Sequence, residues 1–267
     1  MMKRMVAFDL DGTLADSKRP LDDGVARSVS QLLDVVDVAV ISGGDWPQFE
    51  RQVAARLPAR ARLGGLWLMP TTGTKLYRHA DGWTAVYAEL FSEAEKTDIR
   101  VAFDGALRDA GLTDERTWGE RLEDRGSQFT FSGLGQEAPL EAKERWDPDR
   151  RKRAALQTML ARALPNFSIR LGGTTSIDVT RSGIDKAYAL RRLAEVSGVA
   201  IAETLYIGDA LYPGGNDEPA LATGVDAIRV RDPAETMTAI AAIVACQGKT
   251  GSPVRSGVAP SGQDGGG

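Results

Sequence analysis

Val6-Ala7-Phe8-Asp9-Leu10-Asp11-Gly12-Thr13-Leu14 sets two carboxylates two residues apart, where an apolar strand runs into a glycine turn. Residues i and i+2 of a strand point the same way. Asp9 and Asp11 therefore project together beyond the strand's carboxyl end, where ligand crevices form in open α/β sheets. Two like charges so close repel unless a cation is shared or one group takes a proton. Both solutions suit phosphoryl transfer: Mg2+ screens the charge, one carboxylate attacks phosphorus and the other moves protons.

Composition narrows the chemistry. A chain of 267 residues, 42% hydrophobic and 26% charged, can bury a good core as one large domain or two smaller ones. Its net charge of -4 argues against a nucleic-acid surface as its main business. No apolar run approaches the length that spans a bilayer. Met1-Met2-Lys3-Arg4 leads directly into the motif strand and does not read as a signal peptide. The single cysteine, Cys246, excludes an internal disulfide and fits a reducing, cytoplasmic setting. The single histidine, His79, excludes a His-clustered zinc site and argues against a histidine-based triad. Carboxylates, hydroxyls, Lys and Arg remain, the toolkit of Mg2+-dependent phosphoryl transfer. The expected partner is a small phosphorylated metabolite, not nucleic acid or membrane.

The first third alternates strand and helix signals. Val25, Val29, Leu32 and Val36 recur at helical spacing, and Val38-Ala39-Val40-Ile41 stops at Ser42-Gly43-Gly44. Strand, helix, strand implies a right-handed parallel crossover. A helix over Pro47–Leu57 and a strand at Leu66–Met69 follow, then a turn or hairpin over Pro70–Tyr77. From about Trp83 the texture changes. A helix carries Ile99, Phe103 and Leu107, with Gly111 as its stop. A strand covers Gln128–Ser132, and Asp147-Pro148 reads as an N-cap and first helical residue. The strands Phe167–Leu171 and Thr175–Val179 are joined by Gly172-Gly173. Parallel-type signals return with a helix over Lys186–Val196, strands at Thr204–Ile207 and Ala227–Val230, and a helix capped by Asp232, Pro233 and Glu235. The pattern predicts a doubly wound α/β core, residues 1–81 and 181–247, with an inserted α+β cap, residues 82–180. Residues 248–267, rich in Gly, Ser and Pro, read as a disordered tail.

Four strand-end or helix-start sites line up, the acidic pair Asp9 and Asp11 being the first. After the second strand, the Ser42 hydroxyl and the amides of Gly43 and Gly44 can hold phosphate oxygens, because glycine lets the backbone approach closely. Alone, such a Ser-Gly-Gly is a turn more often than a phosphate site. Lys186 opens a helix, whose N-terminus favours phosphate, and its ammonium there would also restrain the motif aspartates. The run Gly208-Asp209-Ala210-Leu211-Tyr212-Pro213-Gly214-Gly215-Asn216-Asp217 offers the further oxygen ligands that octahedral Mg2+ requires. Turn chemistry alone also accounts for Gly-Gly-Asn-Asp in a loop.

The opening motif resembles motif I of the haloacid dehalogenase superfamily. Gly208–Asp217 and Gly172-Gly173-Thr174-Thr175-Ser176-Ile177-Asp178-Val179 resemble the eukaryotic-type phosphomannomutases within its capped IIB subclass, and the likeness covers most of residues 5–230. The resemblance implies Asp9 as a nucleophile that forms an aspartyl-phosphate and Asp11 as general acid/base. It implies Mg2+ held by Asp9, the Asp11 carbonyl and Asp209, with support from Asp217 and Asn216. It also implies a cap that reads a sugar through Ser176 and Asp178 and holds phosphate through Arg125. This chain departs from those mutases at Leu134-Gly135-Gln136 and Glu141-Ala142-Lys143. There Gln136 and Lys143 replace two arginines that grip the distal phosphate of a bisphosphate. Arginine's fork pairs with phosphate, lysine is a point charge, and glutamine has none. A phosphatase of a sugar phosphate is therefore the leading expectation, and a hexose-phosphate mutase the alternative. A non-catalytic phosphate-binding module is disfavoured by the intact Asp9–Asp11 pair. The runs Arg150-Arg151-Lys152-Arg153 and Glu93-Ala94-Glu95-Lys96 read as solvated helix faces.

Overall fold

A computed structural model describes residues 2–17 and 19–247; the expected tail, 248–267, lies outside the described residues. In chain order the elements are β1 (Met5–Phe8), α1 (Asp23–Leu33), β2 (Asp37–Ile41), α2 (Trp46–Gln52), β3 (Leu66–Met69), β4 (Lys75–His79) and β5 (Trp83–Ala88). Next come α3 (Glu93–Asp109), β6 (Leu122–Asp124), β7 (Phe129–Ser132), α4 (Leu140–Trp146), α5 (Arg151–Ala163), β8 (Phe167–Gly172) and β9 (Ser176–Arg181). The chain then runs through α6 (Lys186–Ser197), β10 (Thr204–Gly208), α7 (Glu218–Leu221), β11 (Asp226–Arg229) and α8 (Pro233–Gln247).

Every residue of β1 is buried, as an unbroken apolar run in a central parallel strand must be when both faces are covered. It lies between β10 and β2, parallel to both, in a sheet ordered β11-β10-β1-β2-β3-β4-β5. Helices α1 and α8 cover one face, with Val25, Val29, Leu32 and Ile240 against Phe8, Val38 and Val40. On the other face Ala189, Leu190 and Leu193 of α6 pack on Ala7, Ala39 and Tyr206. The doubly wound core is as expected, and β3–β4 forms the antiparallel hairpin read at Pro70–Tyr77.

The insert is a separate antiparallel sheet, β6-β7-β9-β8. Alternation sorts its two faces. Phe129, Phe131, Ile177 and Val179 pack on Ile99 and Phe103 of α3 and Leu156 and Leu160 of α5. The strand register puts Thr130 opposite Asp178 and Ser132 opposite Ser176, on the other face.

Four local readings need correction. Strand β5, which a boundary after residue 81 would give to the insert, pairs with β4 in the main sheet. The helix expected over Pro47–Leu57 stops at Gln52 and continues as a 3₁₀ turn, Ala54–Arg56. Asp147-Pro148 does not start a helix directly. Arg150, at φ 62°, occupies the N-cap of α5, while Asp147 reaches over the intervening turn to accept from the amides of Lys152 and Arg153. Arg153 is not solvated. Its side chain is 3% exposed and ion-paired at 2.8 Å to an Asp147 carboxylate of 0% exposure, and it donates to the carbonyls of Gly172 and Gly173. In the second charge run, Glu95 completes a capping box with Ser92 and bonds Arg181, which pulls its carboxyl down to about 2. Arg181 also donates to the carbonyls of Glu89 and Leu90, clasping the two linkers between sheet and insert.

Removing one partner of a buried, fully bonded ion pair leaves the other charge uncompensated. Arg153→Met is therefore expected to destabilise the chain by about 3–5 kcal/mol. Urea unfolding followed by tryptophan fluorescence checks this, and a loss near zero contradicts it.

Candidate active site

The parallel sheet brings together what the sequence scatters. Asp9 leaves β1 with its amide bonded to Ile207 O at 3.0 Å, so the ends of β1 and β10 are locked side by side. Lys186, the first residue of α6 behind the N-cap Asp185, turns inward at 3% exposure. Its ammonium donates to Asp9 Oδ1 at 2.5 Å and to Ile41 O at 2.7 Å, and lies 3.3 Å from Asp217 Oδ1. Asp217 is wholly buried, accepting from Tyr206 Oη at 2.6 Å and from the Ala210 amide at 3.1 Å. Asp209, half-buried, accepts from Thr13 Oγ1 at 3.3 Å, and its amide donates to the same hydroxyl at 3.0 Å. Gly12 is required between them. It sits at φ +84°, and a Cβ there would lie 2.7 Å from Asp209 Oδ2.

Charge is unbalanced in this pocket. Asp9, Asp209 and Asp217 each offer an oxygen within 4.8 Å of the others, against the one ammonium of Lys186. Burial pushes the Asp9 carboxyl up to about 7; Lys186 opposes the rise and Asp217 adds to it. Burial, then Asp217, also raises Asp209. Burial works against the Lys186 charge, yet Asp9 and Asp217 outweigh it and hold its pKa above the ordinary value. A hard divalent cation with oxygen preference fits this donor set and relieves the repulsion. Asp11 stands half-buried on the loop closed by Gly12 N to Ala15 O at 2.7 Å, and its carboxylate is not part of the three-oxygen cluster. Asn216 is exposed, next to Asp217 in the chain.

Ser42 is buried at the end of β2, and the loop after it is braced by two strained residues. Thr71 and Thr72 hold φ +49° and +56°, an arrangement costing about 1–3 kcal/mol per residue that persists where its surroundings fix it. Here the Thr71 amide bonds Gly44 O and the Thr72 amide bonds Ser42 O. Thr71, Thr74 and Ser127 close a ring of hydroxyl hydrogen bonds at 2.7–3.0 Å between the core and the β6–β7 turn.

From that turn Arg125 donates to Gly43 O at 3.0 Å and to Glu123 at 2.7 Å. Asp178 accepts from Thr130 Oγ1 at 2.7 Å, while Ser176 is half-buried beside it on β9. Gln136 turns back on the insert, its Nε2 donating to Thr130 O at 3.0 Å, and Lys143 Nζ donates to Gln136 O at 2.9 Å. Sequence reading missed Thr13, Tyr206, Thr130 and Gln128. Thr13 was legible as the residue after Asp-Gly; the others depend on strand pairing that no local pattern announces.

The model of the eukaryotic phosphomannomutase family matches residues 25–246. The chain belongs to that family. It is 25% identical over 222 residues to a phosphomannomutase of Schizosaccharomyces pombe, covering 80% of this chain and 84% of that one. It is 26% identical over 218 residues to one of Nicotiana benthamiana, covering 79% and 81%. Among solved structures it resembles Plasmodium falciparum IMP-nucleotidase, with TM-score 0.72, 15% identity, and 94% of this chain and 63% of that one covered. It also resembles Aspergillus fumigatus trehalose-6-phosphate phosphatase, with TM-score 0.55, 17% identity and coverage of 91% and 93%. These two likenesses concern the fold alone, that of the haloacid dehalogenases. Among the described residues no helix is long and apolar enough to cross a membrane.

Between its ordinary value of 3.8 and about 7, the folded Asp9 holds a proton that the unfolded chain has released. Stability of the metal-free protein from this group therefore falls as pH rises through that window. A cation competes with the same proton, so the rise in thermal midpoint on adding Mg2+ is expected to be larger at about pH 8 than at about pH 5.5. Asp209→Asn should shrink it at both. Differential scanning fluorimetry checks this; an equal shift at the two pH values contradicts it.

Proposed function

We propose that this chain is a Mg2+-dependent phosphatase of a sugar phosphate, working through an aspartyl-phosphate on Asp9. An Asp9 carboxylate oxygen attacks phosphorus as the ester bond to the sugar breaks, and the departing oxygen takes a proton from Asp11. Asp11 then removes a proton from water, which attacks the phosphoryl group, releases inorganic phosphate and restores Asp9. Lys186, the Ser42 hydroxyl and the Gly43 and Gly44 amides stabilise the charge on the transferring oxygens. Mg2+ would be held by Asp9, the Asp11 carbonyl, Asp209 and Asp217, with Asn216 in support, and would supply charge neutralisation at the phosphoryl group. The insert, entered and left through the linkers clasped by Arg181, acts as the cap. Arg125 faces phosphate, and Ser176 and Asp178 face sugar hydroxyls.

One observation carries the preference for hydrolysis. The Gln136 amide is bonded to the β7 backbone and holds no charge to offer a second phosphate. A mutase must keep a bisphosphate while it turns over; a phosphatase must hold one phosphate and admit water. The second reading, a hexose-phosphate mutase, is favoured by the family match and by the names of the relatives. It requires Arg125 and Lys143 to hold the distal phosphate together.

Asp9→Asn keeps the shape of the side chain but cannot attack phosphorus, and should lower kcat by about four orders of magnitude or more. Asp11→Asn keeps the carbonyl and loses the proton shuttle, so acyl-phosphate formed from an activated ester should accumulate. Rapid-quench trapping of labelled enzyme distinguishes the two variants. Activity of Asp9→Asn within tenfold of wild type refutes the nucleophile assignment.

The reaction type is read in one assay on mannose 1-phosphate and glucose 1-phosphate, recording free phosphate and 6-phosphate together, with and without a hexose 1,6-bisphosphate. Free phosphate is expected to exceed 6-phosphate in wild type. Gln136→Arg should tighten bisphosphate binding, each well-aligned charge-assisted contact contributing about 1.5–3 kcal/mol. Faster 6-phosphate formation by wild type replaces the phosphatase with the mutase.

A further inference from the structure

Gln128 is 2% exposed, carries no charge and has no part in the chemistry proposed above, yet it stands between the phosphate loop and the sugar-facing strand. It closes the β6–β7 turn, its carbonyl accepting from the Arg125 amide at 2.8 Å. Its Nε2 lies 3.2 Å from Gly43 O, 3.0 Å from Thr130 Oγ1 and 3.2 Å from Asp178 Oδ1. A carbonyl and a carboxylate can only accept. The Thr130 hydroxyl gives its proton to Asp178 at 2.7 Å and presents a lone pair to Gln128. The amide nitrogen, not its oxygen, must therefore face all three.

An amide nitrogen has two protons, so three acceptors compete for them. One proton serves Thr130 at the shortest of the three distances. The other is divided between Gly43 O in the core and Asp178 Oδ1 in the cap, at equal separation. The same carboxylate oxygen thus takes its hydrogen bond from Thr130 directly and from Gln128 only when Gly43 does not. Arg125 and Ser127 of this turn also touch the core, so contact with Gly43 O marks a docked cap. When the cap lifts, the Gly43 acceptor is lost and the second proton of Gln128 goes to Asp178.

We infer that Gln128 is a positioning residue that couples docking of the cap on the phosphate loop to the orientation of Asp178, and so sets discrimination for polyhydroxylated phosphate esters. The inference rests on the sugar-phosphate reading of the site. Gln128 acts through Asp178 and touches no reacting atom. Its removal should therefore be felt by substrates with hydroxyls for Asp178 to meet, and should be silent once Asp178 is gone.

The readout is the ratio of kcat/KM for mannose 1-phosphate to kcat/KM for p-nitrophenyl phosphate, measured with Mg2+ on the full chain. Gln128→Met, close in volume, is expected to lower this ratio by about tenfold, mostly through KM for the sugar ester. Adding it to Asp178→Ala should leave the ratio of Asp178→Ala unchanged, the non-additivity expected of residues that act as a unit. Thr130→Val removes a second donor to Asp178 and should lower the same ratio, which keeps the inference open to refutation where Gln128→Met does not fold. A ratio within twofold of wild type in the folded variants overturns the inference, as do additive losses in the double variant. Should wild type release phosphate from the aryl ester and not from the sugar ester, both the inference and the sugar reading fall. An unchanged ratio with good sugar-phosphate turnover removes the inference alone.

Discussion

A buried ammonium holds this molecule's chemistry in place. Lys186 is closed off from water and gives its protons to Asp9, Ile41 O and Asp217, groups that follow β1, end β2 and follow β10. An ammonium away from water is tolerated where charges and carbonyls take over its hydration. Here those partners come from three segments, so no one of them can be laid down independently of the others. The sheet order β10-β1-β2 is what puts them within reach. Helix α6 brings the lysine because its first residue points into the crevice while Ala189, Leu190 and Leu193 bury its apolar stripe on the sheet. Three carboxylates against one ammonium leave the pocket short of positive charge, and burial, reinforced by Asp217, raises the pKa values of Asp9 and Asp209.

The insert answers a different constraint. Its sheet is apolar towards α3 and α5 and polar on the opposite face, and Gln128, Thr130 and Ser132 of that polar face are nevertheless nearly inaccessible. Buried polar side chains need partners. Some come from the sheet itself, as Thr130 finds Asp178. Others come from the core, through Gly43 O and the hydroxyls of Thr71 and Thr74. The backbone strain at Thr71 and Thr72 belongs to the same arrangement, because their amides hold the Ser42–Gly44 loop from behind while the Thr71 side chain meets the insert. The polar face of the insert and the Ser42–Gly44 loop of the core thus lie on opposite sides of one hydrogen-bonded seam.

Much of this was legible in the sequence because it rests on short-range rules. Strand-end carboxylates, Ser-Gly-Gly and a helix-opening lysine are local signals, and the parallel sheet that unites them follows from alternating strand and helix. What failed was non-local. Strand β5 reads like the insert because Trp83–Ala88 is an edge strand with mostly exposed residues, and its pairing to β4 leaves no apolar run to announce it. Arg153 sits in a run of four basic residues that looks solvated. Its burial depends on Asp147, six residues earlier, and on two carbonyls at the β8–β9 turn. Gln128 could not be found at all by motif, since a neutral amide acquires meaning only from the three acceptors that surround it.

Membership of the phosphomannomutase family and a preference for hydrolysis are compatible because they concern different steps. The family match spans residues 25–246, and in the mechanism proposed above the strand ends and the Gly208–Asp217 loop serve the first transfer to aspartate in either reaction. Phosphatase and mutase part at the next step, when the phosphoryl group meets either water or a second hydroxyl of the retained sugar. That choice turns on how firmly the cap holds a doubly phosphorylated sugar. A guanidinium at position 136 would be free to grip an anion by two parallel hydrogen bonds. The glutamine there instead secures the backbone of β7 at Thr130, the same residue whose hydroxyl orients Asp178. In the phosphatase reading proposed above, Gln136 stiffens the strand that carries Thr130 in place of gripping an anion, which favours a cap that selects one phosphate ester and lets its product leave.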